Sequence, residues 1–276
     1  MTGEECLMNS LESRRHHFEV EKELATRLRN STREERSGLA SELYAELYRR
    51  VPDHPRIARS QDSEAVERTV AAQMRLVRPF LNQDVAFLEF GAGSGSFSKR
   101  VAPLVAKVTA LEVCDQSGES EGNPPNFEMV LHDGMTIPLP DGSYDVAFSY
   151  QVLEHLHPED VPLHLREIFR VLRPGGAYVL STPHAASGPH DISRYFTRGL
   201  ETFHLKEWTY GELSRSLREA GFSRVHPYIK GKTGSSCRFL VPVFRIVEGL
   251  LAVLPASVRT WLARKFLNNV VVSVLK

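Results

Sequence analysis

The stretch Val85–Gly95, VAFLEFGAGSG, decides the fold. Its apolar run reads as a buried strand, which closes around an acid, Glu89, and turns at once into Gly91-Ala92-Gly93-Ser94-Gly95. The residues that follow, Phe97 to Val105, read as a helix. A strand passing through glycines into a helix brings backbone close to a nucleotide-like ligand. Glycine is needed because a Cβ there would collide with the ligand or forbid the tight turn. Working outward, VTALEV (Val108 to Val113) reads as a second buried strand with Glu112 near its carboxyl end. A carboxylate at that place can accept hydrogen bonds from both ribose hydroxyls. FEMVLHD ends in Asp133, YDVAFSY runs into Gln151, and GGAYVLSTP follows the turn Arg173-Pro174-Gly175-Gly176. Helical patterns separate most of these strands. The alternation predicts an α/β fold with a doubly wound parallel sheet and a ligand at the strands' carboxyl ends.

Two ligands compete for such a site. The dinucleotide fingerprint is Gly-x-Gly-x-x-Gly/Ala, which presents a helix amino end to a pyrophosphate. Here Ser96 stands at the third position of that pattern, and the third glycine is Gly95. S-adenosylmethionine has no phosphate and does not need that helix end. It needs an adenine contact beyond the third strand, which Asp133 can offer.

In LEFGAGSGSFS, TALEV, LHDGMTIPLPDGSYDVAFSYQVLEHL and REIFRVLRPGGAYVLSTPH the chain resembles the class I S-adenosylmethionine-dependent methyltransferases, over roughly Leu76 to Gly231. Its look is that of the small-molecule enzymes of quinone biosynthesis and secondary metabolism. The resemblance implies a Rossmann-like, seven-stranded sheet and S-adenosyl-L-methionine as cofactor. By motif position it implies Glu89 near the methionine amino group and Glu112 on the ribose. Gly91, Gly93 and Gly95 would form the turn. Asp133 would face the adenine amino group, Gly134 and Met135 would line the ring, and Gln151 would lie beside the methionyl portion. Plainer readings stand next to these. Gly175 and Gly176 read as turn formers, Phe90 and Phe148 as core, and Glu154 and His155 in VLEHL as a locally packed helix start with catalysis the alternative.

The remaining features bound the answer. The chain has 276 residues, with 34 Lys plus Arg against 34 Asp plus Glu, so bulk charge gives no case for nucleic acid. Cys6, Cys114 and Cys237 are few and widely spaced, without zinc pairing or a disulfide framework, which fits a reducing cytoplasm. No signal-peptide core and no apolar run of spanning length is read. Ser13 to Arg50 is helix-prone, with Leu24, Leu28, Leu39, Leu43 and Leu47 at helical spacing, and a further helix is predicted over Ser63 to Phe80. Residues 1–80 are therefore expected to form an N-terminal helical cap, either packed beside the sheet or closing as a lid. Residues 81–276 form the cofactor-binding domain. Arg224 to Lys230 reads as the sixth strand and Asn269 to Lys276 as the last. Between them Arg238 to Leu267 is a helical insert, expected first as core or cap packing, with a dimer face or a membrane-surface helix as the alternatives.

The loop after the fifth strand, from His184 to Trp208, is expected to line the acceptor pocket, with His184, His190, Asp191, Arg194, Tyr195 and His204 as candidates. A hydroxyl or acidic carbon acceptor needs a proton removed, which suits a histidine. His190 is the first choice of base, steered by Asp191, with His155 and His184 behind it. Neither His190-Asp191 nor His204 with Glu207 has metal-ligand spacing, so no metal is assigned. The reading is methyl transfer to an oxygen or carbon of a small-molecule acceptor, apolar acceptors and peripheral membrane contact included. A lipid- or glycan-linked acceptor, or a non-catalytic protein binding S-adenosylmethionine or S-adenosylhomocysteine, are the alternatives. A nicotinamide oxidoreductase is disfavoured by the glycine spacing. DNA-base methylation is disfavoured because SYQVLEHL, not Asn/Asp-Pro-Pro-Tyr/Phe, follows the fourth strand.

Overall fold

The computed structural model describes residues 3–114, 123–228 and 240–276, with side chains from residue 11 onward. The chain enters through four helices, α1 (Gly3–Asn30), α2 (Arg33–Arg50), α3 (Pro55–Gln61) and α4 (Ser63–Val77). Each junction has a local cause. Thr32 and Glu35 form a capping box that restarts the chain as α2. Pro55 opens α3, where its missing N–H costs nothing. The Asp62 carboxylate caps α4 by accepting from the amides of Glu64 and Ala65. Within α2 the helix breaks at Ser37 and Gly38, the latter at φ +79°.

The sheet follows: β1 (Ala86–Phe90), α5 (Ser96–Val101), β2 (Lys107–Glu112), β3 (Phe127–Leu131), β4 (Tyr144–Tyr150), α6 (Val161–Val171), β5 (Leu172–Pro183), α7 (Tyr210–Glu219), β6 (Ser223–Pro227), α8 (Leu240–Ala252), α9 (Ala256–Phe266) and β7 (Asn269–Leu275). The seven strands lie in the order β3-β2-β1-β4-β5-β7-β6. β1 to β5 are parallel, and β7 runs antiparallel to both β5 and β6. All five residues of β1 are buried, as expected of a parallel strand covered on both faces. Alternate side chains go to opposite layers. Leu88 and Phe90 join Leu165 and Ile168 of α6 and Leu213 and Leu217 of α7. Phe87 joins Val77 of α4 and Val101 of α5 on the other face. A third core pairs Leu24 and Leu28 of α1 with Leu43 and Leu47 of α2 and receives Phe203 from the loop after β5.

The helical insert is present as α8 and α9 between β6 and β7. Core packing accounts for one of its faces only. Val241, Leu251 and Ala263 are buried, and Phe244 stacks on Tyr210 at 4.2 Å. Ile246, Leu250, Val253, Trp261 and Phe266 face outward and are 57% to 82% exposed. The sixth strand is shorter than expected, and residues 229–230 of that expectation and 238–239 of the insert lie outside the described residues. No described helix is long and apolar enough to cross a membrane.

Candidate cofactor and acceptor site

The sheet order reverses between β1 and β4, and a crevice at the carboxyl ends of the strands is where such sheets bind ligands. The glycine turn lies there. Gly91, Gly93 and Gly95 adopt φ of +75°, +56° and +73°, the left-handed region that favours glycine. A Cβ on Gly91 would stand 2.4 Å from Val152, so the turn packs tightly against the segment after β4. A Cβ on Gly93 would meet nothing within 4 Å. The turn is fixed to β2 by Glu112, whose carboxylate accepts from the amides of Gly93 at 2.7 Å and Val113 at 2.8 Å. Each oxygen keeps a lone pair, so a ribose diol can be added to this arrangement.

Glu89 is buried beneath the turn and accepts from the Ser98 hydroxyl at 2.6 Å. Burial pushes its carboxyl up to about 8, with the nearby Glu112 adding to the effect. Gln151 sits just past β4 with φ +57°, an uncommon backbone for a side chain other than glycine, and its amide donates to Ser181 Oγ at 3.2 Å. Asp133 is more exposed than its assigned role suggests. Its Oδ1 accepts from the amides of Met135 and Thr136, closing its own turn, and Oδ2 accepts from Ser37 at 3.2 Å. Burial opposes ionisation, but the amides of Thr136 and Met135 hold the carboxyl below its usual range. The break in α2 docks here, with Gly38 N donating to the Asp133 carbonyl at 3.0 Å. Gly134, at φ +84°, places Met135 next in the loop.

The histidines separate. His184 is fully buried, accepts the Ala186 amide on Nδ1 and meets Glu248 of α8 through Nε2 at 3.0 Å. Both nitrogens are occupied, so the side chain ties the loop to the insert and is corrected from base to anchor. His190 lies 3.1 Å from Ser187 Oγ through Nε2, and its Nδ1 is 3.1 Å from Glu207 Oε2 without good hydrogen-bond alignment. The carboxylate beside it is therefore Glu207 and not Asp191. Asp191 instead caps its own turn through Ser193 N and accepts from Thr202. Gly188 makes room for Glu207, since a Cβ there would lie 1.7 Å from Oε2. His155 donates from Nδ1 to the Phe203 carbonyl at 3.1 Å, and burial holds it well below its usual range and so neutral.

Two residues of this region carry more than the sequence reading assigned them. Glu154 is fully buried, with Oε2 accepting from Thr182 at 2.9 Å and Oε1 without a partner. Burial pushes it up to about 7. Glu207 is held down to about 2: burial opposes this, and the facing His190 and His204 outweigh it. The adjacent cleft, of about 810 Å³, is lined by Arg194, Arg198, Arg259, Arg264 and Lys265.

Residues 88–180 match the methyltransferase-domain family model. A Mycolicibacterium smegmatis protein named as a probable S-adenosylmethionine-dependent methyltransferase is 33% identical over 153 residues, covering 54% of this chain and 55% of that one. A malonyl-[acyl-carrier protein] O-methyltransferase of Serratia marcescens is 34% identical over 101 residues, covering 36% and 39%. The chain spans about half the length of the curated relatives it matches. Among solved structures, the Burkholderia thailandensis 1,6-didemethyltoxoflavin-N1-methyltransferase with bound S-adenosylhomocysteine shares the fold, with a TM-score of 0.56 at 18% identity, over 89% of this chain and 90% of that one. The chain is thus similar to S-adenosylmethionine-dependent methyltransferases in two respects, the matched methyltransferase domain over residues 88–180 and the fold of the sheet.

Proposed function

We propose that the protein binds S-adenosylmethionine across the carboxyl ends of β1, β2 and β3 and transfers its methyl group to an oxygen or carbon of a small-molecule acceptor held by the loop after β5. One observation carries the cofactor half: the Glu112 carboxylate grips the Gly93 amide and leaves open space over Gly93. The O-methyltransferase name of the Serratia relative supports oxygen. In this reading Glu112 receives the ribose, Asp133 with Gly134 and Met135 the adenine, and Glu89 and Gln151 the methionyl end. The chain's work is to align the acceptor atom behind the sulfonium methyl and keep water out. His190 is the candidate base, held by Glu207. Residues 1–80 act as the cap over both halves.

Calorimetry with S-adenosylhomocysteine and turnover with methyl-labelled S-adenosylmethionine in cell extract test this together. Binding with a labelled product is expected. Binding without any product would leave a cofactor-binding protein that does not turn over. His190→Ala should slow transfer by about a hundredfold or more, the scale of losing a general base, with cofactor affinity unchanged. Near-native turnover would remove His190 from the chemistry.

A lipid-linked acceptor is a second reading. It is favoured by the basic cleft at α9 lying next to the outward apolar faces of α8 and α9. Flotation with anionic vesicles is expected to carry the protein upward, and Trp261→Ser with Phe266→Ser should abolish it. Protein that stays at the bottom of the gradient in low salt would remove this reading.

A further inference from the structure

Glu154, His155 and His204 each offer one ligand atom, and the three atoms lie within 4.8 Å of one another. They are brought together by backbone, because Leu205 N donates to the Glu154 carbonyl at 2.8 Å and lays the 203–207 segment on the turn after β4. The two rings stand at 81° with centroids 5.0 Å apart. The hydrogen bonds then fix what each ring can do. His155 Nδ1 faces the Phe203 carbonyl, which can only accept, and His204 Nδ1 faces the Glu207 carboxylate at 2.9 Å. Both rings therefore carry a proton on Nδ1, which leaves Nε2 as the ligating atom of each neutral imidazole. Glu154 Oε2 is used by Thr182, while Oε1 is buried with no partner. An unpaired carboxylate oxygen in the interior is costly unless something cationic meets it.

We propose that Glu154, His155 and His204 bind a first-row divalent metal ion. Two imidazoles and one carboxylate are a donor set suited to Zn²⁺, Mn²⁺, Fe²⁺ or Co²⁺, and they leave further coordination positions open. With bonds of about 2.0–2.2 Å, two ligand atoms on one ion sit at most ~4.4 Å apart, a span comparable with the 4.8 Å within which the three atoms lie. Glu207 is the positioning residue for His204, in the carboxylate–histidine–metal arrangement that sets the tautomer and raises ligand basicity. His190 N donates to that carboxylate in turn, and the absence of a side chain on Gly188 leaves it room. The second group among the described residues, His17, Glu21 and His54, is less suited. Both Glu21 oxygens are occupied there, by His17 and by Phe203 N.

The ion site stands on its own residues. Its use rests on the methyltransferase reading: the turn holding Glu154 begins two residues past Gln151, so an oxygen acceptor coordinated at the open positions would be held at the methyl-donor end of the site.

The test takes the whole chain, stripped with a chelator and dialysed against Zn²⁺ or Co²⁺, with metal counted by mass spectrometry and Co²⁺ read by its visible absorption. One equivalent per chain is expected, with a Co²⁺ spectrum of mixed nitrogen and oxygen ligation. Glu154→Gln, close in shape and still able to accept from Thr182, should lose that equivalent, as should His155→Ala and His204→Ala. Glu207→Gln should weaken binding about 10- to 100-fold and not abolish it. His54→Ala should retain the equivalent. A folded parent protein that takes up no metal overturns the proposal, and so does an equivalent that survives Glu154→Gln or disappears in His54→Ala. S-adenosylhomocysteine calorimetry on the stripped parent separates the two questions. Loss there removes the cofactor reading and leaves the metal count untouched.

Discussion

The Glu112 carboxylate closes the glycine turn and, in the proposed function, receives the ribose. Its bonds to Gly93 N and Val113 N close the glycine turn before any ligand arrives. Glu112→Ala should weaken S-adenosylhomocysteine binding by roughly 1–3 kcal/mol, the scale of lost charge-assisted hydrogen bonds, as calorimetry would show. Gly93→Val should do worse. It places a branched side chain at φ +56° and fills the open space. Glu89 makes a different prediction. Its carboxyl has an ordinary value of about 4.5 and is raised to about 8 in the fold. The folded state therefore holds the proton longer than the unfolded one, and stability falls as pH climbs from about 4.5 to about 8, then levels off. Glu154, raised to about 7, pulls the same way. Thermal midpoints across that window should drop less in Glu89→Gln than in the parent protein. Equal slopes would mean that Glu89 ionises freely in the folded chain.

At the scale of elements, the loop after β5 is held from outside by α1. The Arg29 guanidinium donates to the carbonyls of Leu200, Glu201, Thr202 and His204, at 3.2, 2.9, 2.7 and 3.4 Å. Removing one cation that satisfies four carbonyls should cost about 2–3 kcal/mol in Arg29→Ala. Hydrogen exchange should quicken across 200–207 and not in β1. Uniform quickening would point to global destabilisation. Very little of this was legible in the sequence, where Arg29 is one cation among many in a charged helix. The strands, the glycine turn and α4 were legible because each carries a local signal: an apolar run, a backbone only glycine accepts, a helical period. The acids of β1 and β2 were legible for the same reason. The Glu154-His155-His204 group was not, since its members lie 49 residues apart and meet through a backbone bond between Leu205 and Glu154. Spacing read along the chain detects ligands on one helix or one turn, and this group uses two separate loops. His190 with Asp191 misled for the converse reason: neighbours in a turn point apart, and the carboxylate that reaches His190 comes from Glu207.

For the whole molecule, α1 and α2 touch both the loop after β3 and the loop after β5. Gly38 and Ser37 rest on Asp133 after β3, and Arg29 and Phe203 tie the helix pair to the loop after β5. Ligand binding at the crevice should raise the thermal midpoint, by the equivalent of about 2.7 kcal/mol with S-adenosylhomocysteine at a hundred times its dissociation constant. A helix pair gripping both ends also sets a clock. On the proposed cap reading neither adenine nor acceptor leaves past α2 while Arg29 keeps its four carbonyls, and the residence time of the spent cofactor is then governed by how often the pair lifts, more than by contacts in the cofactor's own pocket. In stopped-flow displacement, Arg29→Ala should shorten that residence time although its side chain touches the acceptor loop and not the glycine turn. An unchanged off-rate would show that the two halves of the crevice empty independently.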